Sequence, residues 1–244
     1  MKQYGLIGYP LTHSFSKKYF TEKFQQENIT DCSYENFPLE NIHQLAGLLQ
    51  LPHLKGLNVT IPYKESVLSF LTEQSDVVKA TGACNCIKIE NGKLKGFNTD
   101  VVGFEQSLKK FLKPYHTKAL IFGTGGAAKA VEYVLQKLGI DYLLVSRKKG
   151  NAKTISYHEL KVELLQQYLL LINTTPLGMY PKIDDCPDIA YGYLTPKHHL
   201  FDLVYNPERT LFLKNGEAKG ATIQNGYEML LLQAEEGWKI WNEA

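Results

Sequence analysis

The chain has 244 residues, with 27 Lys and Arg against 25 Asp and Glu and a formal net charge of +2. Hydrophobic residues make up 44% and charged residues 21%, which excludes a disordered chain, a collagen-like repeat and a disulfide-dense scaffold. A charge this near zero also argues against nucleic acid as a partner, since a phosphate backbone is met by a basic surplus. The run Arg147-Lys148-Lys149 is too short to follow one.

In chain order, residues 4–8 read as a strand ended by Pro10, and 16–28 as a helix. Residues 34–37 and 56–60 read as further strands, with a helix over 39–50 between them and helices after Pro62 to about residue 79. The runs 83–90 and 93–97 flank Asn91-Gly92, the strongest short hairpin signal because both turn positions need positive φ. Asp100 is then a candidate helix cap, with Val101, Phe104, Leu108 and Phe111 on one helical face. After Pro114 strands are expected at 118–122, 142–146, 169–173, 200–204 and 221–224, with a helix over 128–138 and a last one over 227–242.

Strands alternating with helices predict an α/β fold of two domains. These are an N-terminal α/β substrate domain with a mostly parallel sheet over 1–100, joined by the C-terminal helix 226–244, and a Rossmann-type dinucleotide-binding domain over 101–225. The most apolar windows have the length of buried strands, so no membrane span is expected. The first residues carry no apolar leader core. Cys32, Cys84, Cys86 and Cys186 form no Cys-x-x-Cys pair and have no His at zinc spacing. No metal is therefore expected, and the cysteines read as core or near-core residues of a cytoplasmic protein. Cys84 and Cys86, two apart, would share a face if both lay in a strand.

The string Gly123-Thr124-Gly125-Gly126-Ala127-Ala128 fits the dinucleotide-binding pattern, with Ala128 in its third position. It ends an apolar strand and opens a helix, the setting in which a tight turn and free helix N–H groups cradle a pyrophosphate. At the end of the second strand an NAD enzyme carries Asp or Glu for the ribose 2′-hydroxyl. Here Val145 is followed by Ser146-Arg147-Lys148, and a guanidinium suits a 2′-phosphate. The expected cofactor is NADP.

Four polar clusters stand where the first domain's strands end: His13-Ser14-Phe15-Ser16, Asn58-Val59-Thr60 with Lys64 beyond Pro62, Gly82-Ala83-Cys84-Asn85, and Asn98-Thr99-Asp100. Singly each has a plain structural use, as a helix cap or a solvated helix start. Together they describe a pocket for a small polyhydroxylated acid.

On these strings the chain resembles the shikimate dehydrogenase family over nearly its whole length. The likeness continues through Asn173-Thr174-Thr175-Pro176-Leu177-Gly178-Met179, Asp202-Leu203-Val204-Tyr205-Asn206-Pro207 and Gly226-Tyr227-Glu228-Met229-Leu230 with Gln233. It implies NADPH-dependent reduction of 3-dehydroshikimate to shikimate, a step of aromatic amino-acid biosynthesis, in a cytoplasmic monomer or homodimer. By motif, Ser14, Ser16, Thr60 and Tyr205 would hold the substrate carboxylate. Asn58, Asn85, Asp100 and Gln233 would hold ring oxygens, and Lys64 with Asp100 would be the catalytic pair. The cofactor would lie on Gly123, Thr124, Gly125, Gly126, Ala127, Ser146, Arg147, Lys148, Thr174, Leu203 and Gly226, with Asp76 at a further position sometimes given to cofactor contact. The family's usual Val and Thr beside Asn85 are here Cys84 and Cys86, and its Asn-Arg-Thr is Ser146-Arg147-Lys148. Two rival readings are a broader quinate/shikimate dehydrogenase using NAD, which the basic turn speaks against, and a non-catalytic sensor, which would be expected to lack Lys64 or Asp100.

Overall fold

The computed structural model describes residues 1–11, 14–147, 150 and 152–243. His13, Lys148 and Lys149, which fall in the motifs above, lie outside the described residues. The chain divides into two compact units, Met1–Thr99 with Ala234–Ala244, and Asp100–Gln233.

The first unit carries β1 (Lys2–Gly8), α1 (Phe15–Gln26), β2 (Cys32–Pro38), α2 (Leu45–Leu48), β3 (Leu54–Val59), β4 (Glu73–Gln74), α3 (Asp76–Thr81), β5 (Cys86–Glu90) and β6 (Lys93–Phe97). Its sheet has the order β2-β1-β3-β5-β6-β4. β1, β2 and β3 are parallel, while β5 and β6 join as an antiparallel hairpin. The turn is the expected one, with Asn91 at φ 51° and Gly92 at φ 75°. One register decides the position of the site. Leu6 pairs with Asn58, Asn58 with Cys86, and Cys86 with Phe97, so the chain segments after β1, after β3, before β5 and after β6 all emerge at one edge of this sheet.

One face of the sheet packs Ile7, Leu57, Val59, Cys84 and Ile87; the other packs Tyr4, Phe20, Tyr34, Cys86 and Trp241. Cys84 and Cys86 therefore lie on opposite faces rather than sharing one. The reason is that the strand begins at Cys86, not at residue 83; the Cys84 N–H bonds the Lys64 carbonyl at 2.8 Å instead. Trp241 stacks on Tyr4 at 4.8 Å and donates to the Ile87 carbonyl at 3.0 Å. Its indole occupies the space a Cβ on Gly56 would need, 2.3 Å away. An indole of about 150–250 Å² removed from water contributes roughly 4–6 kcal/mol before conformational costs.

Two helical expectations shorten. Residues 39–50 form a 3-10 turn, Ile42–Gln44, and the single turn of α2. Asn41 starts it late, accepting from the His43 N–H at 2.9 Å. Beyond Pro62 there is a 3-10 turn, Ser66–Phe70, then β4, and a new start where Ser75 caps α3 by accepting from Val78 N–H at 3.3 Å.

The second unit carries α4 (Asp100–Lys109), β7 (Lys118–Phe122), α5 (Gly126–Lys137), β8 (Asp141–Ser146), β9 (Thr154–Ser156), α6 (Val162–Gln167), β10 (Leu170–Asn173), β11 (His199–Asp202), α7 (Leu211–Glu217) and β12 (Thr222–Gln224). The final helix, α8 (Tyr227–Asn242), contains the division between the units. Every pairing in this sheet is parallel, in the order β12-β11-β10-β7-β8-β9. Counted from β7 this is 3-2-1-4-5-6 reversed, the doubly wound dinucleotide-binding arrangement. Its strands read as continuous apolar runs because both faces are covered. Among the described residues no helix is long and apolar enough to cross a membrane, and no group of His, Cys, Asp and Glu could hold a metal ion.

Candidate active site

At the shared edge of the first sheet, Ser14 caps α1, its Oγ accepting from the Lys17 N–H at 3.2 Å. Ser16, the second residue of α1, is 8% exposed. Asn58 is 5% exposed. Its Oδ1 accepts from the Tyr34 hydroxyl at 2.7 Å, and its Nδ2 donates to the Asn85 carbonyl at 3.4 Å. Asn85 is locked in turn, with Oδ1 accepting from the Thr99 N–H at 2.7 Å and Nδ2 donating to Thr99 Oγ1 at 3.0 Å.

Thr60 and Lys64 flank the turn after β3. Tyr63 pins it by donating to the Leu39 carbonyl, and the Lys64 carbonyl accepts from Cys84. The Lys64 side chain is half-buried. Buried amides and hydroxyls cost several kcal/mol each unless bonded, and here they bond one another. The motif residues Asn58 and Asn85 thus share one network, which Tyr34 and Thr99 complete. Asp76 stands apart in the first turn of α3, its side chain fully exposed and 3.3 Å from Lys79.

In the second unit Asp100 is the first residue of α4 and is 6% exposed. The glycine turn behaves as its pattern requires. Gly123 adopts φ +107°, and a Cβ there would meet Thr174 Oγ1 at 2.7 Å. That hydroxyl is itself fixed, donating to the Phe122 carbonyl at 2.7 Å. Gly125 precedes the twelve-residue α5 without any side-chain cap, and a Cβ on it would meet nothing within 4 Å. The start of α5 is therefore uncapped and leaves open space at Gly125, as an anion-binding turn needs. A cleft of about 390 Å³ lies alongside, lined by Thr124, Lys129, Glu132, Leu144, Ser146, Gly150 and Thr154. Arg147, exposed at the end of β8, adjoins this lining.

The remaining motif residues follow the parallel strands' carboxyl ends: Thr174 after β10, Leu203 and Tyr205 after β11, Gly226 after β12. Gly226 allows a close crossing, since a Cβ would lie 2.1 Å from the Leu203 carbonyl oxygen. Tyr205 is half-buried, which raises its hydroxyl pKa. Gln233 is 7% exposed, its Nε2 donating to the Leu230 carbonyl at 2.9 Å.

Three buried residues behind this edge have no assigned role in the sequence reading. Asp202 accepts from Asn173 Nδ2 at 2.9 Å, from the Val204 N–H at 3.0 Å and from the Thr210 hydroxyl at 2.5 Å. Burial pushes its carboxyl up to about 6 against those hydrogen bonds. Asn173 and Asp202 both occur in motif strings, which was their only signal; Thr210 had none.

Comparison with known proteins agrees over the full length. A family model described as the shikimate dehydrogenase substrate binding domain matches residues 6–87. A Clostridium beijerinckii protein named shikimate dehydrogenase (NADP(+)) is 41% identical over 255 residues, covering 100% of this chain and 93% of its own. The crystal structure of shikimate dehydrogenase from Aquifex aeolicus superposes with a TM-score of 0.88 at 32% identity, over 99% of this chain and 92% of that one. That of shikimate 5-dehydrogenase from Thermus thermophilus, in complex with NADP(H) and shikimate, gives 0.88 at 28% identity, over 99% and 94%.

Proposed function

The chain belongs to the shikimate dehydrogenase family, and we infer from that membership and from its two sites how it works. It is an NADP-dependent oxidoreductase that interconverts 3-dehydroshikimate and shikimate, in the route to the aromatic amino acids. The single observation that carries the cofactor side is Gly125: the space its missing Cβ leaves, at the uncapped start of α5, suits a pyrophosphate. The basic Ser146-Arg147 turn nearby, in place of a carboxylate, favours a 2′-phosphate.

NADPH, when bound there, supplies the hydride. The protein's own residues do the rest. Ser14, Ser16, Thr60 and Tyr205 form the carboxylate end of the substrate site, and Asn58, Asn85, Asp100 and Gln233 meet ring oxygens. Lys64 donates a proton to the carbonyl oxygen as the ketone is reduced and takes it back from the hydroxyl in the reverse direction. Asp100 is the second member of the catalytic pair and meets the neighbouring substrate hydroxyl. Gly123, Thr124, Gly126, Ala127, Thr174, Leu203 and Gly226 shape the cofactor path. The exposed Asp76 contributes least, its carboxylate being paired with Lys79. The enzyme acts in the cytoplasm, as a monomer or homodimer.

The deciding assay follows cofactor reduction with shikimate or quinate, each with NADP or NAD. Turnover of shikimate with NADP well above the other three combinations is expected. Preferred oxidation of quinate with NAD would overturn the specificity stated here.

A further inference from the structure

We propose that Tyr34 is a positioning residue that sets the hydrogen-bonding polarity of the substrate pocket by donating its hydroxyl proton to the Asn58 amide oxygen. The inference rests on the reading of Asn58 as a substrate contact, but its logic comes from proton counting.

The Asn58 oxygen can only accept, so the Tyr34 hydroxyl must spend its one proton on it, at 2.7 Å. The Asn58 amide is fixed with its oxygen consumed, and one Nδ2 N–H goes to the Asn85 carbonyl; the second N–H is the donor left for a ligand.

Tyr34 is suited to the task because its hydroxyl cannot wander. It sits on β2, with β1 between it and Asn58 on β3, on the face shared with Tyr4 and Leu6. Its ring stacks on Phe20 at 4.6 Å. Burial lifts its pKa well above the ordinary tyrosine value, which keeps it protonated and donating. Without that hydroxyl the Asn58 amide can turn over and present an acceptor where the pocket now has a donor.

The test is Tyr34→Phe, which removes one oxygen from a packed ring. The shikimate KM should rise by about tenfold, the usual worth of one well-placed hydrogen bond, while the NADP KM stays unchanged. Asn58→Ser breaks the same contact from the other end and should give the same shikimate-selective defect. The two changes combined should cost much less than the product of the single effects.

A ligand-independent readout is the Asn58 side-chain amide resonance in ¹⁵N-labelled protein, identified by its loss in Asn58→Ser. A single sharp pair should broaden or shift in Tyr34→Phe. A lower melting temperature with unaltered shikimate KM and an unaltered amide resonance would overturn the proposal, as would full additivity. Failure of the parent enzyme to oxidise shikimate would instead overturn the functional reading, and the amide resonance would still decide whether Tyr34 holds the Asn58 amide.

Discussion

At the working edge of the first unit the polar groups are side chains: Asn58 and Asn85 are buried, and they bond Tyr34, Thr99 and one another. At the corresponding edge of the second unit the exposed positions are Thr124 and Gly125, and the buried polar side chains, Asn173, Asp202 and Thr210, face each other behind them. The difference follows from what each edge must recognise. A ring with several hydroxyls is told from its relatives by donors and acceptors at fixed places, and leaving one unpaired costs about 1–3 kcal/mol. A pyrophosphate is met by helix N–H groups, for which shape and absence of side chains suffice. The first site is thus sensitive to the chemistry of single atoms, the second to added volume.

The sharpest test of the side-chain half is Lys64→Met, which keeps the apolar stem and removes the ammonium. kcat should fall by roughly 10²–10⁴, the contribution of a positioned proton donor, with the NADP KM retained. Asp100→Asn should also lower kcat, and the double variant should fall well short of additivity. Near-normal turnover in folded Lys64→Met enzyme would move the proton donor elsewhere.

For the backbone half, two glycine changes should separate ligand shape from fold. Gly125→Ala adds a methyl where no protein atom lies within 4 Å. The melting temperature should therefore hold while the NADP KM rises by about tenfold or more, roughly 1.4 kcal/mol. Gly226→Ala puts its methyl 2.1 Å from the Leu203 carbonyl oxygen, and should lower the melting temperature by an overpacking cost of about 1–3 kcal/mol. Equal effects of the two on stability would show that the space at Gly125 is not reserved for a ligand.

The contrast also governs what could be read from the residues alone. The glycine turn and the Asn91-Gly92 hairpin are local signals, and both elements form where expected. The amides and serines were visible as polar interruptions at strand ends. Tyr34 was not, because nothing near it in sequence distinguishes it from any half-apolar strand residue; its role arises only when β1 brings β2 and β3 into register. The Asp202–Thr210 contact likewise depends on packing. The short elements β4, β9, α6 and α7 span two to seven residues each, too few for a periodic pattern to emerge.

Arg147 is the one side chain that the backbone half is proposed to use for discrimination, so Arg147→Ala should blur the contrast in a defined way. NADP binding should weaken by roughly 1.5–3 kcal/mol, the worth of a charge-assisted hydrogen bond, and NAD binding should barely change. Equal losses for both cofactors, measured as KM ratios, would place the guanidinium away from the 2′-phosphate.

The dependence of stability on pH should also divide between the units. The second unit buries His116, His198 and His199. His199 Nε2 bonds Gln224 Oε1 at 3.2 Å, whose own Nε2 donates to the Ser107 carbonyl at 3.2 Å. The Gln224 oxygen accepts, so His199 carries its proton on Nε2, and the buried Nδ1 has no partner. Phe111 stacks on the ring at 5.1 Å, and His116 lies 6.1 Å away. Burial accordingly lowers His199 from 6.5 to about 4, and lowers His116 as well. Both groups take up protons less readily folded than unfolded. Their contribution to stability is therefore intact above pH 6.5 and is lost as pH falls toward 4. For His199 the loss is at most about 3 kcal/mol, at roughly 1.36 kcal/mol for each unit of its shift. His199→Gln keeps an N–H for Gln224 but cannot titrate. Its melting temperature should fall less steeply between pH 6.5 and 4 than that of the parent, with a residual slope from His116. Identical slopes would mean that acid enters the fold through some other group.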